Sequence, residues 1–368
     1  MAGLTCLFII QGEGRGHLTQ ALALDAMLRR AGHRVCSAIV SQGGDHSIPA
    51  YFAEHFSAPV EHVEGVHFVV DKQSQSIHWP KTVTANSGRL NLFGEAFSVI
   101  SAHLKREQPD VIINFYEPLG GFFMLWRNPQ VPMIAVAHQF MFLHPRYRFP
   151  EGFAIQRQST RFFTNLTGLG ATRRLALSLY DAEPLPSKRM VVVPPLLRDE
   201  LFTIRAEEHT PFLLVYLFHH SLADSIIAWH KRNPSIEIHC YWNNTGAGKT
   251  VEYDSSLTFH QLHGQRFLEM MAACQGIVTT SGFETMAEAM YLGKPLLCNP
   301  VRRHFEQYCN AMDGKCLGAA VQSDSFDLGI LLEFVPRYQF DATGFRRWVA
   351  RAERMFVREI EEVAGIHQ

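Results

Sequence analysis

Most of the groups able to do chemistry in this chain sit on two glycine-bracketed turns, one in each half. The first reads Gly12-Glu13-Gly14-Arg15-Gly16-His17 and follows the apolar run Leu7-Phe8-Ile9-Ile10. The second reads Thr279-Thr280-Ser281-Gly282-Phe283-Glu284-Thr285 and follows Gly276-Ile277-Val278. An apolar run that stops at small residues and resumes with a helical pattern is a strand-to-helix turn. The helix start presents unpaired amides and the positive end of the helix dipole, which suits a phosphate. The dipole also disfavours an imidazolium at His17, so the ring stays neutral and able to accept a proton. The plainer reading is a histidine that caps the helix and packs beneath the turn.

In the second turn Ser281, Gly282, Phe283 and Thr285 are the candidates to hold a diphosphate. Glu288 lies two helical turns beyond Ser281 on the same face, where a carboxylate can take both hydroxyls of a ribose. The helix stops at Gly293-Lys294-Pro295, a standard ending. The next apolar run leads into Asn299-Pro300-Val301-Arg302-Arg303-His304-Phe305-Glu306-Gln307. Open α/β sheets bind ligands at the carboxyl ends of their strands, and Glu306 and Gln307 offer acceptors and donors to sugar hydroxyls. In the first half Glu117 and His138 stand at strand ends. Glu117 is expected to orient His17 or to meet an acceptor, against a simple surface carboxylate. Gly14, Gly16 and His138 are the further site candidates of this half.

The elements that position these groups read as alternating strands and helices. Apolar runs at 7–11, 34–40, 109–114, 131–137 and 190–193 are strands of the first half, with a helix over 18–31 ended by Gly32. Runs at 212–217, 236–240, 276–279 and 296–298 repeat the scheme. This alternation predicts two doubly wound, mostly parallel sheets, facing each other with a ligand between them. Pro194-Pro195 breaks the pattern and marks the boundary. A final helix over 344–363 puts Phe345, Trp348, Val349, Ala352, Phe356, Ile360 and Val363 on one stripe, which must dock on a surface.

The bulk composition excludes several classes. The chain has 368 residues, 34 Lys+Arg against 35 Asp+Glu and a net charge of −1, which is no nucleic-acid signature. No apolar run is long enough to span a membrane, and the first residues lack a signal-peptide pattern. The 7 cysteines have no CxxC spacing and read as buried thiols of a cytoplasmic protein. None of the 19 histidines forms a metal-ligand spacing, so no metal is expected. One local signal stands out: Arg146, Arg148, Arg157, Arg161, Arg173 and Arg174 interleave with Phe140, Phe142, Tyr147, Phe149, Phe153, Phe162 and Phe163, against a single acid, Glu151. Such a stretch suits an anionic membrane surface or an amphiphilic acceptor, or is a packed helix pair with a basic outer face.

The second half resembles the C-terminal domain of MurG-like glycosyltransferases of the GT-B fold. The resemblance rests on Ser281-Gly282, Glu288, Glu306-Gln307 and Tyr308-Cys309-Asn310-Ala311 in that order and spacing. The first half agrees through Gly12-x-Gly14-x-Gly16-His17. The segment Asn114-Phe115-Tyr116-Glu117-Pro118-Leu119, followed by Ala137-His138-Gln139, is similar to a less-studied microbial branch. The resemblance implies an α/β GT-B fold of two facing Rossmann-like domains with an interdomain cleft. An acceptor domain over 1–195 precedes a nucleotide-sugar donor domain over 196–340, and 341–368 pack back across both.

It further implies metal-independent and inverting transfer, with no cofactor, of a sugar from a nucleotide-diphosphate donor (UDP favoured). The acceptor is a hydroxyl on a lipid-linked, saccharide or small molecule. A lipid-linked acceptor would put the protein on the inner membrane face. Two departures matter. Tyr216-Leu217-Phe218-His219-His220-Ser221 lacks the family's glycines, which shifts donor phosphate contacts to Ser221 or a histidine, and Phe115 stands where the microbial branch often has an Asp. The competing readings are a nucleotide-sugar hydrolase of the PseG type, in which His17 activates water, and a non-catalytic sugar-nucleotide binding protein.

Overall fold

The computed structural model describes residues 3–13, 15–42, 48–65, 90–204, 210–217, 222–242, 244 and 248–366. They form two compact units. One comprises Met1–Tyr147, Glu151–Arg198 and Trp348–Gln368; the other comprises Arg148–Pro150 and Asp199–Arg347.

The first unit is built on strands β1 (Thr5–Gln11), β2 (Arg34–Gln42), β3 (Val60–Glu64), β4 (Val111–Phe115), β5 (Met133–Ala137), β6 (Arg173–Leu177) and β7 (Met190–Val193). Their order across the sheet is β3-β2-β1-β4-β5-β6-β7, and every pair is parallel. The connecting helices are α1 (Gly16–Arg30), α2 (Ala50–His55), α3 (Leu90–Glu107), α4 (Pro118–Arg127) and α5 (Ala154–Thr167). Strands β4 and β5 are buried along their whole length, as expected when helices cover both faces of a parallel sheet. The run expected from Pro109 starts at Val111, because Pro109 has no amide to donate and the Asp110 carboxylate accepts from the Thr5 amide at 2.7 Å. β3 and β6 are absent from the strands read in the sequence. β3 is an edge strand with Glu61 and His62 exposed, and β6 opens on two arginines.

The second unit contains β8 (Phe212–Tyr216), β9 (Glu237–Trp242), β10 (Thr250–Glu252), β11 (Leu257–Gln261), β12 (Gly276–Thr279), β13 (Leu296–Cys298) and β14 (Ala320–Gln322). Their order is β10-β11-β9-β8-β12-β13-β14, parallel except for the edge pair β10/β11. Its helices are α6 (Glu200–Thr203), α7 (Ala223–His230), α8 (Gly264–Ala273), α9 (Phe283–Tyr291), α10 (Phe305–Cys316) and α11 (Gly329–Phe334), with α12 (Ala342–Val349) at the crossing back to the first unit.

The chain ends on α13 (Ala352–Val363), so the single helix expected over 344–363 is two. Phe345, Trp348, Val349, Ala352, Phe356 and Ile360 of the expected stripe are buried. In the first unit the Trp348 indole donates to the Ser178 carbonyl at 2.9 Å. Arg30 reaches Glu353 at 2.8 Å, and Arg173 pairs with Glu359.

One further expectation is corrected, and one of the two readings of the aromatic stretch is favoured. Cys316 is exposed, while the other six cysteines are buried and all are free thiols. Most of the aromatic stretch after β5 is core. Phe140, Met141, Phe142, Leu143, Tyr147 and Phe163 are buried, because a 3-10 turn over His138–Leu143 folds in directly behind the strand. The exposed large apolar side chains of this region are Leu125, Trp126, Ile155 and Phe162 on α4 and α5. Among the described residues no helix is long and apolar enough to cross a membrane.

Each sheet reverses its winding once, between β1 and β4 in the first unit and between β8 and β12 in the second. The carboxyl ends of strands at such a reversal form the natural ligand crevice of a doubly wound sheet. Both glycine-bracketed turns stand there.

Candidate active site

In the first unit β1 runs out into Gly12, whose amide donates to the Ser41 carbonyl at 2.7 Å. The Gln42 side-chain amide donates back to the Gly12 carbonyl at 3.2 Å. A Cβ at Gly12 would come within 2.9 Å of both the Ser41 oxygen and a Val40 methyl. Only glycine permits this approach. α1 then opens at Gly16, and His17 is buried at its start. The imidazole stacks on the Tyr116 ring, with centroids 5.5 Å apart and planes inclined by 28°. Its Nδ1 lies 3.3 Å from Gln20 Oε1.

Tyr116 follows β4 in the left-handed region, at φ 58°, a conformation a bulky residue holds only when its surroundings impose it. The surroundings are specific. The Asn114 side chain accepts from the Glu117 amide (3.0 Å) and donates to the Glu117 and Thr167 carbonyls (both 2.9 Å). The Tyr116 hydroxyl meets the Thr164 hydroxyl at 2.9 Å. Its ring meets Phe163 and Phe140 edge-on at 5.4 and 6.3 Å. His138 opens the 3-10 turn behind β5, buried, with Phe142 edge-on at 6.1 Å. The sheet therefore brings Gly16, His17, Glu117 and His138 to one carboxyl edge.

Glu117 behaves differently from the expectation. It is buried rather than a surface carboxylate, and its side-chain hydrogen bonds run to α4 and β2. Its side chain caps α4 by accepting from the Leu119 amide at 3.0 Å, and its other hydrogen-bond partner is the Ser41 hydroxyl. Burial pushes its carboxyl up to about 8, because a charge removed from water is held back by desolvation. Near neutral pH this group keeps a proton.

In the second unit β12 ends at Thr279. Ser281 then takes φ 68°, and Gly282 caps α9 in an extended conformation. The Ser281 carbonyl accepts from Asn310 Nδ2 at 3.0 Å, which ties α10 to the turn. The Asn299 amide donates to Thr279 O at 2.8 Å, and its side chain donates to Ser323 O at 2.8 Å. Gln307 accepts from the Val301 amide at 2.8 Å, so part of this side chain closes the 301–307 loop. Ser281-Gly282, the loop after β13 and the first turns of α10 thus form one connected edge. Phe283 and Glu288 are buried on α9, while Thr285 and Glu306 are half-buried. The buried Thr279 hydroxyl has no hydrogen-bond partner among the described residues. Arg302 and Arg303 are exposed.

Gly14 and Ser221 lie outside the described residues. No three His, Cys, Asp or Glu side chains among the described residues come together as a metal-holding group. Tyr116, Gln20 and Thr164 are site residues that sequence reasoning passed over. Gln20 carried a usable signal, since it stands at i+3 from His17 on one helix face.

The comparisons agree with this fold. The family model described as glycosyl transferase family 1 matches residues 4–338. None of the curated protein sequences matches. Among solved structures, the kitacinnamycin glycotransferase is similar with a TM-score of 0.64 and 17% identity, covering 97% of this chain and 99% of that one. Arabidopsis thaliana UGT89C1 complexed with quercetin gives 0.64 and 14%, covering 97% and 99%. SsfS6 of Streptomyces sp. SF2575, complexed with thymidine diphosphate, gives 0.58 and 16%, covering 98% and 99%. With its two parallel-sheet α/β units, the chain is a glycosyltransferase of the GT-B fold and belongs to glycosyl transferase family 1.

Proposed function

We propose that this glycosyltransferase moves a sugar from a nucleotide-diphosphate donor, UDP-linked by preference, to a hydroxyl acceptor by inversion and without a metal. The observation that carries this reading is the pair of turns at the two winding reversals, one bearing a buried histidine and the other a helix N-terminus with a connected polar loop. His17 takes the acceptor proton. The acceptor oxygen forms a bond to the anomeric carbon as the carbon–oxygen bond to the diphosphate breaks, and the diphosphate leaves with the electron pair. Amides at the start of α9, with Ser281, Gly282 and Thr285 beside them, receive that charge, the largest developed in the reaction. Glu288 takes the ribose hydroxyls, and Glu306 and Gln307 the sugar. The order of these residues supports placement near the MurG-like branch, and SsfS6 and UGT89C1 are relatives whose complexes hold a nucleoside diphosphate and a phenolic molecule.

The test is calorimetry with UDP, TDP, GDP and ADP, followed by product analysis with the best donor. Tight binding of one diphosphate, lost in Glu288→Ala, supports the reading. Rapid release of free sugar without any acceptor would favour hydrolysis instead.

A lipid-linked acceptor is supported by one surface. Leu125, Trp126, Ile155 and Phe162 are exposed on α4 and α5, two helices that carry Arg127, Arg157 and Arg161 and no acidic residue. Apolar side chains flanked by arginine suit an anionic bilayer. Protein that fails to float with anionic vesicles at low salt would leave a water-soluble acceptor.

A further inference from the structure

The imidazole of His17 has two distinct nitrogens, and only one of them can serve as a base in the neutral ring. Gln20 is buried one helical turn further along α1, with its Oε1 3.3 Å from Nδ1. A carbonyl oxygen accepts and cannot donate. A hydrogen bond here therefore requires the proton on Nδ1 and leaves the lone pair on Nε2. On one flat side of the ring lies Tyr116, held in its left-handed backbone conformation by Asn114 and through its hydroxyl by Thr164. We propose that Gln20 is the positioning residue of this enzyme: it fixes the Nδ1–H tautomer of His17, so that Nε2 accepts the proton, while Tyr116 fixes the ring plane. This rests on the reading of His17 as the base.

The pairing has a chemical consequence. A carboxylate in this role would stabilise the imidazolium and raise the basicity of the ring. A carboxamide orients without adding charge. Glu117, the nearby acid that would otherwise be assigned the task, is engaged by the Leu119 amide and Ser41. In the transfer step the acceptor O–H bond breaks as Nε2 takes its proton, the oxygen bonds to the anomeric carbon, and the diphosphate departs with the electrons of the broken carbon–oxygen bond. Nδ1–H keeps its hydrogen bond to Gln20 throughout.

The test uses the full chain with 15N-labelled histidine, the His17 signals being assigned by their loss in His17→Ala. Wild-type protein should show His17 protonated at Nδ1 near neutral pH. Gln20→Leu should abolish that preference and lower kcat on the order of 10–100-fold, as misplacement of a reacting group does, with KM little changed. Gln20→Glu should keep the tautomer and most of the rate, but move the acid limb of kcat/KM to higher pH. Glu13 and Arg15, which precede His17 in the chain, and Glu117 and His138, at the ends of the neighbouring strands, are common to all variants. A wild-type His17 protonated at Nε2, or a Gln20→Leu variant with unchanged tautomer and rate, would overturn the assignment. An acid limb unmoved in Gln20→Glu would do the same. A normal rate in His17→Ala would instead overturn the base reading, and the spectra would still report the tautomer separately.

Discussion

The two winding reversals of this molecule use the same backbone device for opposite purposes. In each unit the strand across the reversal from the first strand, β4 or β12, is followed by a non-glycine residue in the left-handed region: Tyr116 at φ 58° and Ser281 at φ 68°. Each such residue costs on the order of 1–3 kcal/mol, and each is locked by an asparagine, Asn114 in one case and Asn310 in the other. At β4 the twist turns an aromatic ring beneath an imidazole. At β12 it turns a carbonyl toward α10 and opens α9 with small residues. A strained residue beside the reversal is thus the shared framework; on the reading proposed above it supports the ring of His17 in one unit and opens an anion site in the other.

If that division is right, the two turns should fail in different measurements. His17→Ala should lower kcat by about 10²–10⁴-fold, the usual contribution of a general base, while calorimetry shows donor affinity unchanged. Equal losses in rate and affinity would mean that the first turn also holds the donor. Glu288→Ala should weaken nucleotide-sugar binding by about 1.5–3 kcal/mol, as loss of a charged hydrogen bond does. Retained affinity would remove Glu288 from the donor side.

Glu117 sharpens the contrast through stability rather than catalysis. Its carboxyl is raised to about 8 in the folded protein, so between the ordinary carboxylate range and that value the folded state binds the extra proton. Stability contributed by this group is fully present at low pH and is lost as pH rises through the folded value. The slope should be at most about 1.4 kcal/mol per pH unit. Denaturant titrations of Glu117→Gln across pH 5–8 should show a flatter profile than wild type, and parallel profiles would contradict the buried proton. The smallest effect belongs to the outer surface: Arg157→Ala should weaken binding to anionic vesicles by about 1 kcal/mol without touching donor affinity, measured by sedimentation with liposomes.

The buried strands were legible in the sequence because their apolar runs are nearly continuous and their ends carry Gly, Pro or Asn. The second turn was legible for the same reason: its working parts lie within one strand–helix–strand–loop segment. In the first unit Gly16, His17, Glu117 and His138 were legible, but their supports were not, since these come from β2, β4, α1 and α5. Nothing local to Glu117 reveals that Ser41 meets it, and nothing local to Tyr116 reveals that Thr164 holds its hydroxyl. A tyrosine has strong strand propensity, so its left-handed conformation contradicts local preference and emerges only from tertiary contacts. The aromatic run after β5 left two readings open, because composition alone does not distinguish a packed 3-10 turn from a surface patch.

The return of residues 348–366 to the first unit makes that unit a split one. The second unit runs continuously over Asp199–Arg347 apart from Arg148–Pro150, whereas the first is completed by a segment that follows the second in sequence. Trp348 supplies the indole that the Ser178 carbonyl takes, and α13 supplies Glu353 to Arg30 and Glu359 to Arg173. A truncated chain ending at Arg347 should therefore keep a protease-resistant second unit and carry a loosely closed first one, with the difference read by limited proteolysis.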